Sequence, residues 1–183
     1  MAKPGSALYF IAILPSSPIF EQTSELKNYF KEHYRSKAAL NSPPHITLHM
    51  PFEWTEKKED VLVSSLGLFL KNKGRLTLEL LNFSCFAPRV IFVTVLENEI
   101  LRSFQYELLR YCKKELNIFN AQYKDMRFHP HLTLAFRDLK KPMFEKAWDE
   151  FKDKEYSASF VVEHIALLKH NGNIWELFKE FAL

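Results

Sequence analysis

Two five-residue stretches constrain this chain more than anything else in it. Pro44-His45-Ile46-Thr47-Leu48 and Pro130-His131-Leu132-Thr133-Leu134 stand 86 positions apart, one in each half. A proline disfavours helical backbone in the residue before it, and Ile, Leu and Thr suit a pleated strand. Both stretches therefore predict β-strands. Alternate residues of a strand share a face, so His45 goes with Thr47 and His131 with Thr133, opposite Ile46, Leu48, Leu132 and Leu134. One such strand alone could be an ordinary polar face. Two are more informative if the units around them match.

The rest of the chain supplies that match. The apolar run from Ala7 to Leu14 predicts a buried strand, and Ile19 to Tyr34 a helix with Phe20, Leu26, Phe30 and Tyr34 inward. The first His strand should run from His45 to about Met50 and end at Pro51. Thr55 can cap a helix reaching about Lys71, with Val61, Leu62, Leu66, Phe69 and Leu70 buried. Leu76 to Phe86 and Val90 to Leu96 read as strands. Asn98 can cap a helix to about Leu116, with Ile100, Leu101, Phe104, Leu108 and Tyr111 at helical spacing. Residues 117–128 form a loop, and His129 to Phe136 is the second His strand. Pro142 opens another helix. Tyr156 to Leu168 and Ile174 to Leu183 are the last strands, joined through Asn171-Gly172, a hairpin signal. Each half then reads strand, helix, His strand, helix, strand, and the second adds one more strand. The expected fold class is α+β: one domain over 1–183, with two pseudo-symmetric lobes of antiparallel sheet flanked by helices (about 1–88 and 89–183) and a central cleft.

Composition removes several function classes. Four glycines argue against a glycine-rich nucleotide loop, and 47% hydrophobic residues with 17 Phe allow a substantial core. A net charge of +3 permits an anionic substrate but suits a nucleotide or a short RNA end better than a long duplex. Cys85 and Cys112 lack metal spacing and read as free thiols. The run 7–14 is too short to span a membrane and is not followed by a cleavage pattern. The expectation is a cytoplasmic monomer without a membrane or obligate protein partner.

Two histidines facing each other across a cleft suit proton transfer in both directions. One, neutral, takes a proton from a nucleophile, and the other, protonated, gives one to a leaving oxygen. In-line displacement at phosphorus needs these roles on opposite sides, and Thr47 and Thr133 can donate hydrogen bonds to the non-bridging oxygens. Neither a metal nor a cofactor is required for a strained cyclic phosphodiester.

This pattern resembles the two-histidine phosphoesterase superfamily, in its 2′-5′ RNA ligase-like and cyclic phosphodiesterase branch. The resemblance spans most of the chain: 9–13, His45-Ile46-Thr47-Leu48, 86–92, Pro130-His131-Leu132-Thr133-Leu134-Ala135 and the closing strand. It implies a bilobal α+β fold, metal-free catalysis and 2′,3′-cyclic phosphate ends of RNA or nucleotides as substrates. It assigns catalysis to His45 and His131 and phosphate binding to Thr47 and Thr133. His45 is taken as the acid and His131 as the base. Many relatives carry Arg directly after the Leu-Ala of the second motif; here Phe136 intervenes and Arg137 follows. Lys169 and His170 stand where relatives often have Ser.

Other residues fall near the motifs. By alternation His49 and His129 should share the cleft faces, as lining or substrate contacts; with no acidic residue or Cys in either motif, a metal site there is disfavoured. Arg89 and Arg127 are candidates for phosphate contact. Tyr9 or Phe10, but not both, could stack on a base, and Tyr123 is a similar candidate. Two alternatives share this site: 2′-5′ RNA ligation, and a non-catalytic nucleotide- or RNA-binding module.

Overall fold

The computed structural model describes residues 3–119 and 128–183. Strand β1 (Ser6–Ile13) leads to helix α1 (Ile19–Tyr34), which ends on Arg35 in left-handed conformation. A single 3₁₀ turn (Ala38–Asn41) precedes β2 (Ile46–Thr55). A second (Glu56–Lys58) precedes α2 (Glu59–Leu70), whose first turn carries Glu59 and Asp60, favourable at the positive end of the helix dipole. Then come β3 (Leu76–Phe86), β4 (Val90–Val95) and α3 (Glu99–Leu116). Asn98 caps α3 as expected, its side chain accepting from the Leu101 N–H at 2.9 Å. Next are β5 (His131–Ala135), α4 (Lys141–Phe151), β6 (Ser157–Val162), β7 (His164–His170) and β8 (Trp175–Ala182). Among the described residues no helix is long and apolar enough to cross a membrane.

All eight strands form one antiparallel sheet in the order β6-β3-β4-β5-β2-β1-β7-β8. The two His strands are the central pair. The axis of pseudo-symmetry falls between them, exchanging β2 with β5, β1 with β4, β7 with β3 and β8 with β6. The halves of the sheet are not the segments 1–88 and 89–183, because β3 lies beside β4, while β7 returns to β1. The segment expected as one strand, 156–168, is therefore two. Its first part pairs with β3 and its second with β1, and Glu163 is the break. One residue can span only about 8 Å between its neighbours. Since β6 is an edge strand and β7 lies next to the opposite edge, the sheet must curl until they meet.

The main core lies between the helices and one face of this sheet. Ile11, Ile13, Ile46, Leu48 and Leu132 meet Phe30, Leu62, Leu66, Leu108 and Phe151 there. Val61 and Ile100 were expected inside and are exposed. The inward stripes of α2 and α3 instead run Leu62-Leu66-Leu70 and Leu101-Phe104-Leu108. Thr55 makes no capping bond, and α2 begins four residues after it. Pro51 does not end β2. Beyond Ile46 that strand pairs with β1 alone, so a missing N–H on its other edge breaks no ladder. Gln105 of α3 covers this free edge, donating to the Leu48 carbonyl at 3.2 Å.

Candidate active site

The face turned away from the helices carries both motifs. Ile46 pairs with Leu132 in antiparallel register. That register sets His45 across from Thr133 and Thr47 across from His131. Four polar side chains thus form a square at the centre of the sheet, with the two imidazoles on a diagonal.

Each imidazole is held the same way. His45 Nδ1 lies 2.8 Å from the Pro43 carbonyl oxygen, and His131 Nδ1 lies 2.8 Å from that of His129. A carbonyl only accepts, so both Nδ1 atoms carry the proton and both Nε2 atoms are left for chemistry. A phenyl ring backs each one: Phe10 of β1 lies 4.8 Å from the His45 ring, and Phe92 of β4 lies 4.9 Å from the His131 ring, at nearly equal tilts of 50° and 52°. A third aromatic completes each set, Trp175 at 4.7 Å from Phe10 and Phe86 at 4.6 Å from Phe92. The two-fold relation thus extends to the tautomers and to Phe10 and Phe92 behind them, but not to Trp175 of β8 and Phe86 of β3, which stand on strands the axis does not exchange.

The electrostatics are less symmetric. Burial pushes the His45 imidazole down to about 4, and the Lys27 ammonium and His131 push the same way against the stabilising bond to Pro43. His131 is also lowered, by burial and by His129, with its bond to the His129 carbonyl opposing. Lys27, on the inner face of α1, was not singled out from the sequence. A lysine in a helix normally reads as a solvated position, and only its place in the Ile19-Thr23-Lys27-Phe30 stripe could have flagged it.

The other sequence candidates separate. His129 is exposed beside His131, their rings 6.2 Å apart, with Phe86 at 5.2 Å. His49 is not on the cleft face. β2 bulges at Leu48, which places Thr47 opposite Ala12 but His49 opposite the core residue Ile11. His49 is 1% exposed, packs edge-on against Phe52 and gives its Nδ1 to the Met50 carbonyl at 2.8 Å. Tyr9 is also a core residue. Its hydroxyl bonds Glu59, in a cluster where Lys169 joins both Glu56 and Glu59 at 2.7 Å. Its neighbour Phe10 takes the cleft face but is buried beneath His45 and Trp175, so it supports the imidazole rather than offering a surface to a base. Lys169 faces the helices in that same cluster, while His170 lies 4.9 Å from Trp175 at the hairpin. Arg89 is exposed in the turn after Phe86 and makes no ion pair among the described residues. Arg127 and Tyr123 lie outside the described residues. Arg137 adopts φ 62° after β5 has ended, so strand alternation does not govern it; its guanidinium sits 5.5 Å from the Phe136 ring. The next residue, Asp138, accepts from Ser36 Oγ at 2.8 Å and from the Lys37 and Ala38 N–H groups, tying the end of the second motif to the approach of the first.

Two Nδ1-anchored imidazoles and two threonine hydroxyls lie together on one curled antiparallel sheet, an arrangement that can move protons beside an anion. The comparisons give the family and the fold. A family model described as the 2′-5′ RNA ligase superfamily matches residues 15–174. A Bacillus pumilus relative, provisionally named a phosphoesterase, is 33% identical over 179 residues, covering 96% of each chain. A Geobacillus relative with the same provisional name is 28% identical, covering 96% of this chain and 95% of its own. The structure of E. coli LigT complexed with 3′-AMP has a TM-score of 0.71 at 21% identity, covering 97% of this chain and 98% of that one. TT0787 of Thermus thermophilus gives 0.67 at 18%, covering 96% and 97%. The chain belongs to the 2′-5′ RNA ligase superfamily, the two-histidine phosphoesterases.

Proposed function

We propose that this protein is a metal-independent phosphoesterase that opens 2′,3′-cyclic phosphates of RNA ends or nucleotides to phosphomonoesters. The observation that carries the reading is the pair of Nδ1-anchored imidazoles, each set across from a threonine hydroxyl. Water attacks phosphorus while one Nε2 takes its proton. The bond from phosphorus to a ribose oxygen breaks, and the other Nε2–H gives that oxygen a proton. Thr47 and Thr133 donate to the non-bridging oxygens as charge builds there. Both imidazoles are depressed, His45 the more strongly, so His131 holds a proton more readily than His45, which favours His45 as base and His131 as acid, the reverse of the assignment made from sequence. LigT has been crystallised with 3′-AMP, a nucleotide of the kind such a reaction would release. The family description also supports the opposite direction, 2′-5′ ligation of RNA, in which the two histidines exchange roles.

The test is incubation with the four nucleoside 2′,3′-cyclic monophosphates and a short RNA ending in a cyclic phosphate, with EDTA present and phosphorus NMR of the products. Turnover insensitive to EDTA is expected, with the product regiochemistry showing which oxygen His131 protonates. Folded protein that leaves every one of these substrates intact would overturn the reading.

A further inference from the structure

Lys27 is 2% exposed, yet it carries an amine. Its Nζ donates to the Ser42 carbonyl at 3.1 Å and has no carboxylate partner among the described residues. The acids on elements near α1 are engaged elsewhere. Glu150 of α4 bonds Tyr29, Tyr34 and Lys154. Asp138 bonds Ser36, Lys37 and Ala38. Burying a charge without a counter-charge is costly, and an apolar side chain would fill the same stripe at no such cost. Packing therefore does not account for an amine here.

The position of its one bond does. Ser42 immediately precedes Pro43, whose carbonyl holds His45 Nδ1. The amine thus grips the chain one peptide away from the group that orients the first imidazole. The charged groups set against His45 are Lys27, from α1, and His131, from β5. Only His129 stands in that relation to His131 among the described residues. Two otherwise matching halves differ at this point.

We propose that Lys27 is a positioning residue: from the helix side of the sheet it clamps the Ser42–Pro43 turn that orients His45 and keeps that imidazole neutral and proton-accepting, so that a symmetric pair of histidines acquires two different roles. Burial lowers the Lys27 amine to about 7, so it carries charge through the mildly acidic range and adds to the burial that depresses His45. The catalytic consequence rests on the phosphoesterase reading; the effect on the imidazole does not.

The experiment follows the His45 and His131 imidazoles by NMR titration in substrate-free wild type, Lys27→Met and Lys27→Gln. Gln keeps a hydrogen-bond donor without the charge and serves as the second variant if Met does not fold. In both variants the His45 midpoint should rise towards the ordinary imidazole range while His131 stays in place. In Lys27→Met the Nδ1–H tautomer of His45 should also lose population. In the turnover assay kcat should fall about 10- to 100-fold with KM nearly unchanged, the signature of lost orientation. A His45 midpoint and tautomer identical to wild type in the folded variants would overturn the proposal. A shifted His45 in a protein whose wild type opens no cyclic phosphate would uphold the positioning role and sink the phosphoesterase reading instead.

Discussion

Ile46 of β2 pairs with Leu132 of β5, and this bridge is where the two halves of the sheet are joined. Both side chains are fully buried on the helix face, and the alternation of a strand puts their flanking residues on the other. The same pairing therefore builds the core and sets His45, Thr47, His131 and Thr133 together. Leu132→Ala should cost roughly 2–5 kcal/mol of stability through the cavity it leaves. Leu132→Met should cost less than about 1.5 kcal/mol. Urea unfolding of the two variants checks this, and an alanine variant as stable as wild type would contradict the role of the bridge.

Removing either imidazole should lower turnover of a cyclic phosphate by about 10²–10⁴-fold, with the circular dichroism spectrum preserved because neither ring belongs to the main core. The double variant should be little worse than the poorer single one, since acid and base act as a unit. Thr47→Val and Thr133→Val should each lower kcat by ~10²-fold with smaller effects on KM, as expected for donors that matter most in the transition state. Steady-state kinetics of the four single variants decide it; normal turnover in His131→Ala would end the mechanism.

The pH dependence follows from the signs of the two shifts. As a base His45 must be neutral, so kcat/KM rises as pH climbs through about 4. As an acid His131 must be protonated, so kcat/KM falls as pH climbs through a midpoint below the ordinary 6.5. The free-enzyme profile should peak between these values, on the acid side of neutral. The kcat profile should lie higher, because bound phosphate favours both imidazolium forms. A kcat/KM optimum above pH 8 would be incompatible with these depressed imidazoles.

Lys27 makes a separate prediction about stability. Its amine titrates at about 7 in the folded chain, against 10.5 when unfolded. Between those values the unfolded chain binds the additional proton, so this residue's contribution to stability improves as pH rises across that window. Below about pH 7 the buried charge costs on the order of 5 kcal/mol, even with its bond to Ser42. Lys27→Met should therefore melt above wild type at pH 7, and the gap should narrow towards pH 10.5. An equal gap at both ends would mean that the amine is neither buried nor unpaired.

That His and Thr of each motif share a face was readable from sequence because each motif is local: a proline, a pleated run and a period of two suffice. Helix α1, the Asn98 cap and the turn at Asn171-Gly172 were readable for the same reason. His49 was misplaced because alternation assumes a regular ladder, and the bulge at Leu48 is set by pairing with β1. Tyr9 and Phe10 could be narrowed to one cleft residue but not chosen between, since a run buried on both faces has no polar side to orient it.

The sequence by itself determined that two His-x-Thr strands exist, that helices separate them, and that their polar faces need a common partner. Tertiary structure decided how the strands are shared out. β3 joins β4 and β7 joins β1, so each half of the sheet draws on both halves of the chain. It also decided that a helical lysine faces inward and holds the Ser42 carbonyl, one residue before the carbonyl that anchors the first histidine. Periodicity reports which way a side chain leans from its own backbone. Which backbone lies beside it, and which charge lies behind it, depends on pairings between segments far apart in the chain, and these are fixed only when the sheet closes.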